Sequence, residues 1–299
     1  MFLPVIMSGG AGKRLWPISR SSFPKPFIAM PDGESLLQKA FLRAQSLDNV
    51  NEILTVTNRN HYFRTHGEYA KVSNPNIKTS YILEPVGRNT APAIAIAAYY
   101  AAKLYGDDTV LLILSADQLI EKDSEFALAV AEARLLAEKN YLVTFGISPS
   151  RPETGFGYIE LSDKNIEDSL SGYVVKRFVE KPDLQTAEIY VNSGKYLWNA
   201  GIFCFKAGVF LSELGKHSPE LVKSIAVTVE SIDFSQAAKG YAEIEEKLFS
   251  IVPSISVDYA LMEKSDNVAV VACDIGWNDV GSWNAIGELI APDAAGNRI

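Results

Sequence analysis

The chain has 299 residues, 47% of them hydrophobic, with a formal net charge of −8 and a mean hydropathy of +0.04. That apolar content excludes a disordered chain and supplies the core of one large α/β domain. The acidic balance excludes nucleic acid or an anionic membrane as the main partner, and no apolar run approaches transmembrane length.

The first predicted element is a strand, FLPVIM at 2–7, followed by SGGAGKRLWP, Ser8 to Pro17. This loop is not a Walker loop: Gly12-Lys13 is followed by Arg14 where Ser or Thr is needed, and Met7 stands where the first glycine belongs. The dinucleotide fingerprint fails at its third position, which is Leu15. The loop is a third kind of glycine turn. Gly9, Gly10 and Gly12 let backbone N–H groups cradle phosphate oxygens, and Arg14 and Lys25 can neutralise charge. The alternative is a plain strand-to-helix turn with solvated cations. Lys13, Arg14, Arg20 and Lys25 all precede the first acidic residue, Asp32, which favours a local anion site.

Further strands are predicted at 52–57, 77–83, 109–115 and 141–147, with amphipathic helices at 35–47 and 125–140. The second helix turns Phe126, Val130, Ala133 and Ala137 to one face. TAPAIAIAAYYAAKLYG is apolar nearly all round and reads as a buried helix, with Asn89 or Thr90 as its cap and Pro92 in its first turn. Alternation of strand and helix predicts an α/β fold, a Rossmann-like mixed, mostly parallel sheet with helices on both faces. Beyond 147, short strands (GYIEL, YVVKRFVEK, GIFCFK) alternate with helices (TAEIYVNS, FLSELGKHS, AEIEEKLF) and read as additions to the same sheet. Residues 1–290 are therefore expected to form one domain, and 291–299 to begin a C-terminal extension. Apolar strands near 198–205 could pair across a homodimer. Cys204 and Cys273 are expected to be buried reduced thiols. The start of the chain lacks a secretory leader, which points to the cytoplasm.

In an open α/β sheet, ligands bind beyond the carboxyl ends of the strands. Asp117 follows the apolar strand TVLLILS, where it can hold magnesium or cap the next helix. Asp279, in IGWNDVGSW, can complete a two-carboxylate metal site or form a turn, and Asp274 competes with it. Gly155 and Gly157 allow close approach of a ligand to the backbone. Glu180 and Lys181 can meet sugar hydroxyls and phosphate, or form a solvated strand end. Asn199 can both give and take hydrogen bonds. His61, His66 and His217 lie outside these clusters, and no nucleophile elbow is present. Neither a covalent intermediate nor a histidine base is expected. Phosphoryl-type transfer needs neither, because positioning and charge neutralisation do most of the work.

PVIMSGGAGKRLWPISRSSFPKPF, LEPVGRNTAPAIAIAA, LSADQLI, TGFGYIE, FVEKP, WNAGIF, SVDYALMEK and WNDVGSW, taken in order, resemble the sugar-phosphate nucleotidyltransferases. LWPISR, GRNTAP and WNDVGSW point to the mannose branch of that family. The resemblance implies the nucleotide-diphospho-sugar transferase fold, with GTP and mannose 1-phosphate as substrates and GDP-mannose and pyrophosphate as products. It implies that Ser8 to Arg14, Lys13 included, hold the triphosphate, with Arg88 and Asn89 also on the nucleotide. Arg14, Lys25 and Asp117 would be the catalytic set, and Asp117 and Asp279 would bind Mg2+. Gly157, Glu180 and Asn199 would hold the sugar, and Lys181 its phosphate.

Glu84 ends the strand IKTSYIL. A carboxylate there can accept guanine N1–H and the 2-amino group together while repelling the carbonyls of uracil or thymine; the alternative is a pair with Arg88. One departure is Gln118, where the family usually has histidine, so no titrating group follows Asp117. Two other readings remain: a transferase for a different sugar 1-phosphate or nucleotide, and a regulatory homologue that binds GDP-mannose without turning it over. Members of the family are often extended by a β-helical or isomerase domain.

Overall fold

The computed structural model describes residues 1–9, 15–167 and 169–288. In chain order the elements begin with β1 (Phe2–Ser8), α1 (Leu36–Gln45), β2 (Glu52–Asn58), α2 (Tyr62–Ala70), β3 (Lys78–Glu84), α3 (Thr90–Tyr105) and β4 (Val110–Ser115). Then come β5 (Leu119–Ile120), α4 (Asp123–Glu138), β6 (Leu142–Ile147), β7 (Gly157–Asn165), β8 (Gly172–Glu180), α5 (Leu184–Ser193) and β9 (Tyr196–Lys206). The remainder are α6 (Ala207–His217), α7 (Pro219–Glu230), β10 (Ala242–Glu243), α8 (Glu246–Phe249), β11 (Val268–Ala272), β12 (Trp277–Asn278) and α9 (Trp283–Glu288).

Ten of these strands form one sheet in the order β10-β3-β2-β1-β4-β9-β6-β11-β8-β7, with β7 also pairing β9. The central strands are buried on both faces, so they read as continuous apolar runs instead of alternating ones. On β1, Leu3 and Val5 join a core shared with α3, α6 and α7, while Phe2 and Ile6 join a second core with α1 and α4. The helix read from 125–140 buries all four residues expected of it: Phe126, Val130, Ala133 and Ala137. At α1, Ser35 Oγ accepts from Gln38 N (3.2 Å), while Gln38 Oε1 accepts from Ser35 N (2.8 Å), a reciprocal cap. At α3, Asn89 Oδ1 accepts from Thr90 N at 2.9 Å, so Asn89 is the cap residue.

Two expectations need correction. The sheet is parallel throughout from β10 to β4, but beyond β4 only the β6–β11 pair is parallel. The mostly parallel reading therefore describes one half of it. The strand at 198–205 is not an exposed dimer surface. It belongs to β9, buried between β4 and β6 at the centre of the sheet. An apolar run of that kind reads alike at a sheet centre and at a sticky edge.

A two-stranded antiparallel ribbon of β5 and β12 lies apart from the main sheet, pairing Leu119 with Asn278 and Ile120 with Trp277. It continues through Glu121 N to Gly276 O (3.3 Å) and Lys122 N to Ile275 O (3.1 Å). The ribbon joins the turn after β4 to the turn after β11, so Asp117 and Asp279 arrive at the same place. No described helix is long and apolar enough to cross a membrane.

Candidate active site

A cavity of about 420 Å3 opens beyond the carboxyl end of β4, beside β7, β8 and β9. Many of the residues singled out in the sequence line it, among them Lys25, Asn89, Asp117, Gln118, Gly155, Gly157, Glu180, Lys181, Asn199 and Asp279. A second cavity of about 390 Å3 adjoins it, sharing Asn89 and Thr90, and is lined by Gly9, Glu84 and Arg88 among others. Ser8 lines neither. Its side chain is buried at the end of β1, and its carbonyl accepts from Thr57 Oγ1 at 3.0 Å. Gly10, Gly12, Lys13 and Arg14 lie outside the described residues.

Lys25 projects from a short 3-10 turn, Lys25–Phe27, and its side chain is only 7% exposed. Its Nζ donates to Asp117 Oδ2 at 3.1 Å and to the backbone carbonyl of Asp279. The other Asp117 oxygen, Oδ1, accepts from Ser115 Oγ at 2.5 Å. Asp117 caps no helix, since α4 starts six residues later and its cap residue is Lys122. Asp274 is settled against: it is exposed and pairs with Lys122 at 2.5 Å, outside the cavity. A Cβ placed on Gly281 would fall 2.2 Å from Asp279 Oδ2, so the glycine gives that carboxylate its space.

On the other wall, Glu180 ends β8 and contacts the Lys181 ammonium. Its side chain is only 7% exposed, so this is not a solvated strand end. Burial pulls the Lys181 ammonium down, but the bond to Glu180 together with the charges of Glu180 and Asp258 outweighs it, and the net shift is upward. A Cβ placed on Gly157 would lie 2.7 Å from Glu180 Oε2, 3.3 Å from Phe178 and 3.4 Å from Asn199.

Asn199 is held on both ends of its amide. Oδ1 accepts from Thr144 Oγ1 (2.8 Å) and Gly201 N (3.1 Å), and Nδ2 donates to Asp258 Oδ1 at 3.0 Å. Asp258 lines the same cavity and was given no role from the sequence. It starts a π-helical turn, Asp258–Met262, and burial together with the nearby Glu180 charge pushes its pKa up to about 6. The sequence signal was a lone acid at the head of the apolar run DYALM, which periodicity alone reads as a helix start. Phe156 stands edge-on to both Trp198 and Trp277, each at 5.2 Å, and forms an aromatic wall. Gln118 donates to Ala200 O at 2.8 Å and so braces the turn after β4 against β9.

In the second cavity Glu84 is 6% exposed, and its Oε1 is buried without a hydrogen-bond partner among the described residues. Burial pushes its pKa up to about 8. Arg88 Nε is likewise buried and unpartnered, so the expected alternative, a Glu84–Arg88 pair, is not what satisfies either group. An orphaned buried carboxyl oxygen costs free energy unless a ligand donates to it.

Among the described residues, the first cavity is lined by four carboxyl groups (Asp117, Glu180, Asp258, Asp279) and two ammonium groups (Lys25, Lys181). A site so charged repels phosphates unless a further cation enters. Asp117 and Asp279 are hard oxygen donors of the kind magnesium takes when phosphates complete its shell. The residues present therefore fit a divalent ion held jointly by protein and substrate.

Comparison with known proteins gives the family. The family model described as "Nucleotidyl transferase" matches residues 3–295. A mannose-1-phosphate guanylyltransferase of Klebsiella pneumoniae is 42% identical over 99% of this chain, which spans 62% of that relative's length. A structure described as mannose-6-phosphate isomerase from Helicobacter pylori superposes with a TM-score of 0.79 at 32% identity, covering 93% of this chain and 99% of the other. Another, described as mannose-1-phosphate geranyltransferase from Thermus thermophilus, gives a TM-score of 0.82 at 30% identity, covering 98% and 80%. The match runs through nearly every element that builds the two cavities, and the chain belongs to the nucleotidyl transferase family.

Proposed function

We propose that the chain transfers GMP from GTP to α-D-mannose 1-phosphate, giving GDP-mannose and pyrophosphate. The observation that carries this reading is the pair of adjoining cavities. One ends on Glu84, whose buried Oε1 has no partner among the described residues, and the other brings Lys25, Asp117 and Asp279 opposite Glu180 and Lys181.

Guanine fits the second cavity, where its N1–H and 2-amino groups donate to Glu84. The mannose hydroxyls lie against Glu180, the Gly157 backbone and Asp258, with Asn199 orienting Asp258. Lys181 meets the sugar phosphate. Magnesium, held by Asp117 and Asp279, supplies neutralisation of the phosphate charge. Lys25 places its ammonium at the α-phosphate, and Arg14 from the glycine turn would share that work. An oxygen of mannose 1-phosphate attacks the α-phosphorus, the bond from that phosphorus to the bridging oxygen breaks, and pyrophosphate leaves with the electron pair. The nucleophile is already an anion, so no general base is needed, and no histidine lines either cavity among the described residues.

The test is pyrophosphate release from GTP and mannose 1-phosphate with magnesium, with sugar omitted as control and Asp117→Ala alongside. Sugar-dependent release that Asp117→Ala lowers at least about 100-fold is expected. Release without sugar, or full activity in the variant, would overturn the reading. GDP-mannose binding without release would favour the regulatory homologue.

A further inference from the structure

We propose that Lys25 also guards the Asp117–Asp279 pair, its ammonium standing in the nucleotide-free protein where a divalent cation would otherwise bind. The proposal rests on the reading of these two aspartates as a metal site. Its ground is the contact set around Nζ: Asp117 Oδ2 at 3.1 Å on one side and the Asp279 carbonyl on the other. With Ser115 Oγ on Oδ1, both Asp117 oxygens are engaged by the protein itself.

The lysine is built to hold that place. Its turn is closed by Phe27 N to Pro24 O and Ile28 N to Lys25 O, both at 3.0 Å, and is flanked by Pro24 and Pro26. The Arg64 guanidinium lies over the rings of Phe23 (4.9 Å) and Phe27 (5.4 Å), fixing the backbone beneath. Only the far end of the side chain is left free to turn, and it lines the cavity.

A dication entering this site alone must displace an ammonium from an oxygen both would use, or sit beside a like charge at close range in a half-buried site. A triphosphate changes that balance. It offers Lys25 new anionic partners and offers the metal the remaining oxygens. Lysine and metal then exchange places, the metal taking the aspartates and the lysine the phosphates. Binding of metal and nucleotide becomes mutually favourable, because whatever draws the lysine away for one serves the other.

The experiment is a nucleotide-free titration with Mn2+, followed by electron paramagnetic resonance, on the full chain. Lys25→Met keeps the length and apolar stem of the side chain and removes the charge. It is expected to bind Mn2+ about tenfold more tightly than the wild type, although the lost lysine impairs catalysis. Lys25→Arg, which retains a cation, should stay near the wild-type value, and Lys25→Met/Asp117→Ala should lose the gain. If Lys25→Met does not fold, judged by circular dichroism, Lys25→Gln takes its place. Unchanged or weaker Mn2+ binding in the uncharged variant, with binding that still depends on Asp117, overturns the guard and leaves the metal site standing. No Asp117-dependent binding in any variant overturns both.

Discussion

At position 157 the fold has no space for a methyl group. A Cβ there would press on the Glu180 carboxylate, Phe178 and Asn199 at once. Gly157→Ala should therefore displace Glu180 and raise KM for mannose 1-phosphate by about tenfold, with a smaller change in kcat and none in KM for GTP. Steady-state kinetics in both substrates would check it. Glu84 supports a second prediction. To accept two N–H groups it must be ionised, and burial pushes its pKa up to about 8. Protons then compete with guanine below pH 8, so KM for GTP should fall as pH rises from 6 and level off near 8. Glu84→Gln should flatten that profile and reduce the preference for GTP over UTP and dTTP by about tenfold or more. Asp117 and Asp279 were legible in the sequence because each follows a strand and sits in a short polar turn. The choice between Asp279 and Asp274 was not, because both stand in the same loop and only the chain's path decides which faces inward. Asp258 was invisible for a similar reason: nothing local separates a cavity-facing acid from a helix-starting one.

The elements themselves follow the sequence closely where the periodic signal is long. Strands β1 to β4 and β6 agree with their predicted limits to within a residue, as does α3 with its cap. Some of the failures are short, and others are whole helices, such as α2. Two-residue strands such as β5 and β12 carry no period, so the ribbon that brings the two aspartates together could not be foreseen. Helix α7, opened by Pro219, also went unassigned. Backbone conformation marks the site as well. Of the described non-glycine residues with positive φ, Asn89 (66°), Lys181 (49°) and Val280 (46°) line the first cavity or adjoin Asp279, and Asn49 and Asn140 are of the residue type that tolerates it. Asn89 carries both a cap and an unusual φ. Asn89→Ala should cost about 1–2 kcal/mol in chemical denaturation, and Asn89→Gly distinctly less, because glycine keeps the conformation while losing only the side-chain bond.

Across the whole molecule, the sheet separates stability from chemistry along its strands. At the amino end of β2, Glu52 is buried. Burial alone would raise its pKa, but the polar groups around it, with Tyr100, Tyr105 and Lys78 donating hydrogen bonds, outweigh that and hold it below the usual range. A depressed pKa means stability that is present above the unfolded value and lost as pH falls. At the carboxyl end of β3, Glu84 is its opposite: a raised pKa means stability that declines as pH climbs from the unfolded value toward about 8. Glu52→Gln should therefore destabilise by about 1–3 kcal/mol at pH 7. Glu84→Gln should be no less stable than the wild type there and clearly more stable at pH 9, by thermal melts across that range.

The placement of β9 carries a consequence for how the chain is made. Strands β4 and β6 emerge from a ribosome long before the strand that must lie between them, which ends at Lys206. Until then the nascent protein carries two open, apolar strand edges facing a gap, the kind of edge that recruits other chains. Fragments ending before that strand should aggregate, and synthesis of this protein should call on chaperones until the central strand is out.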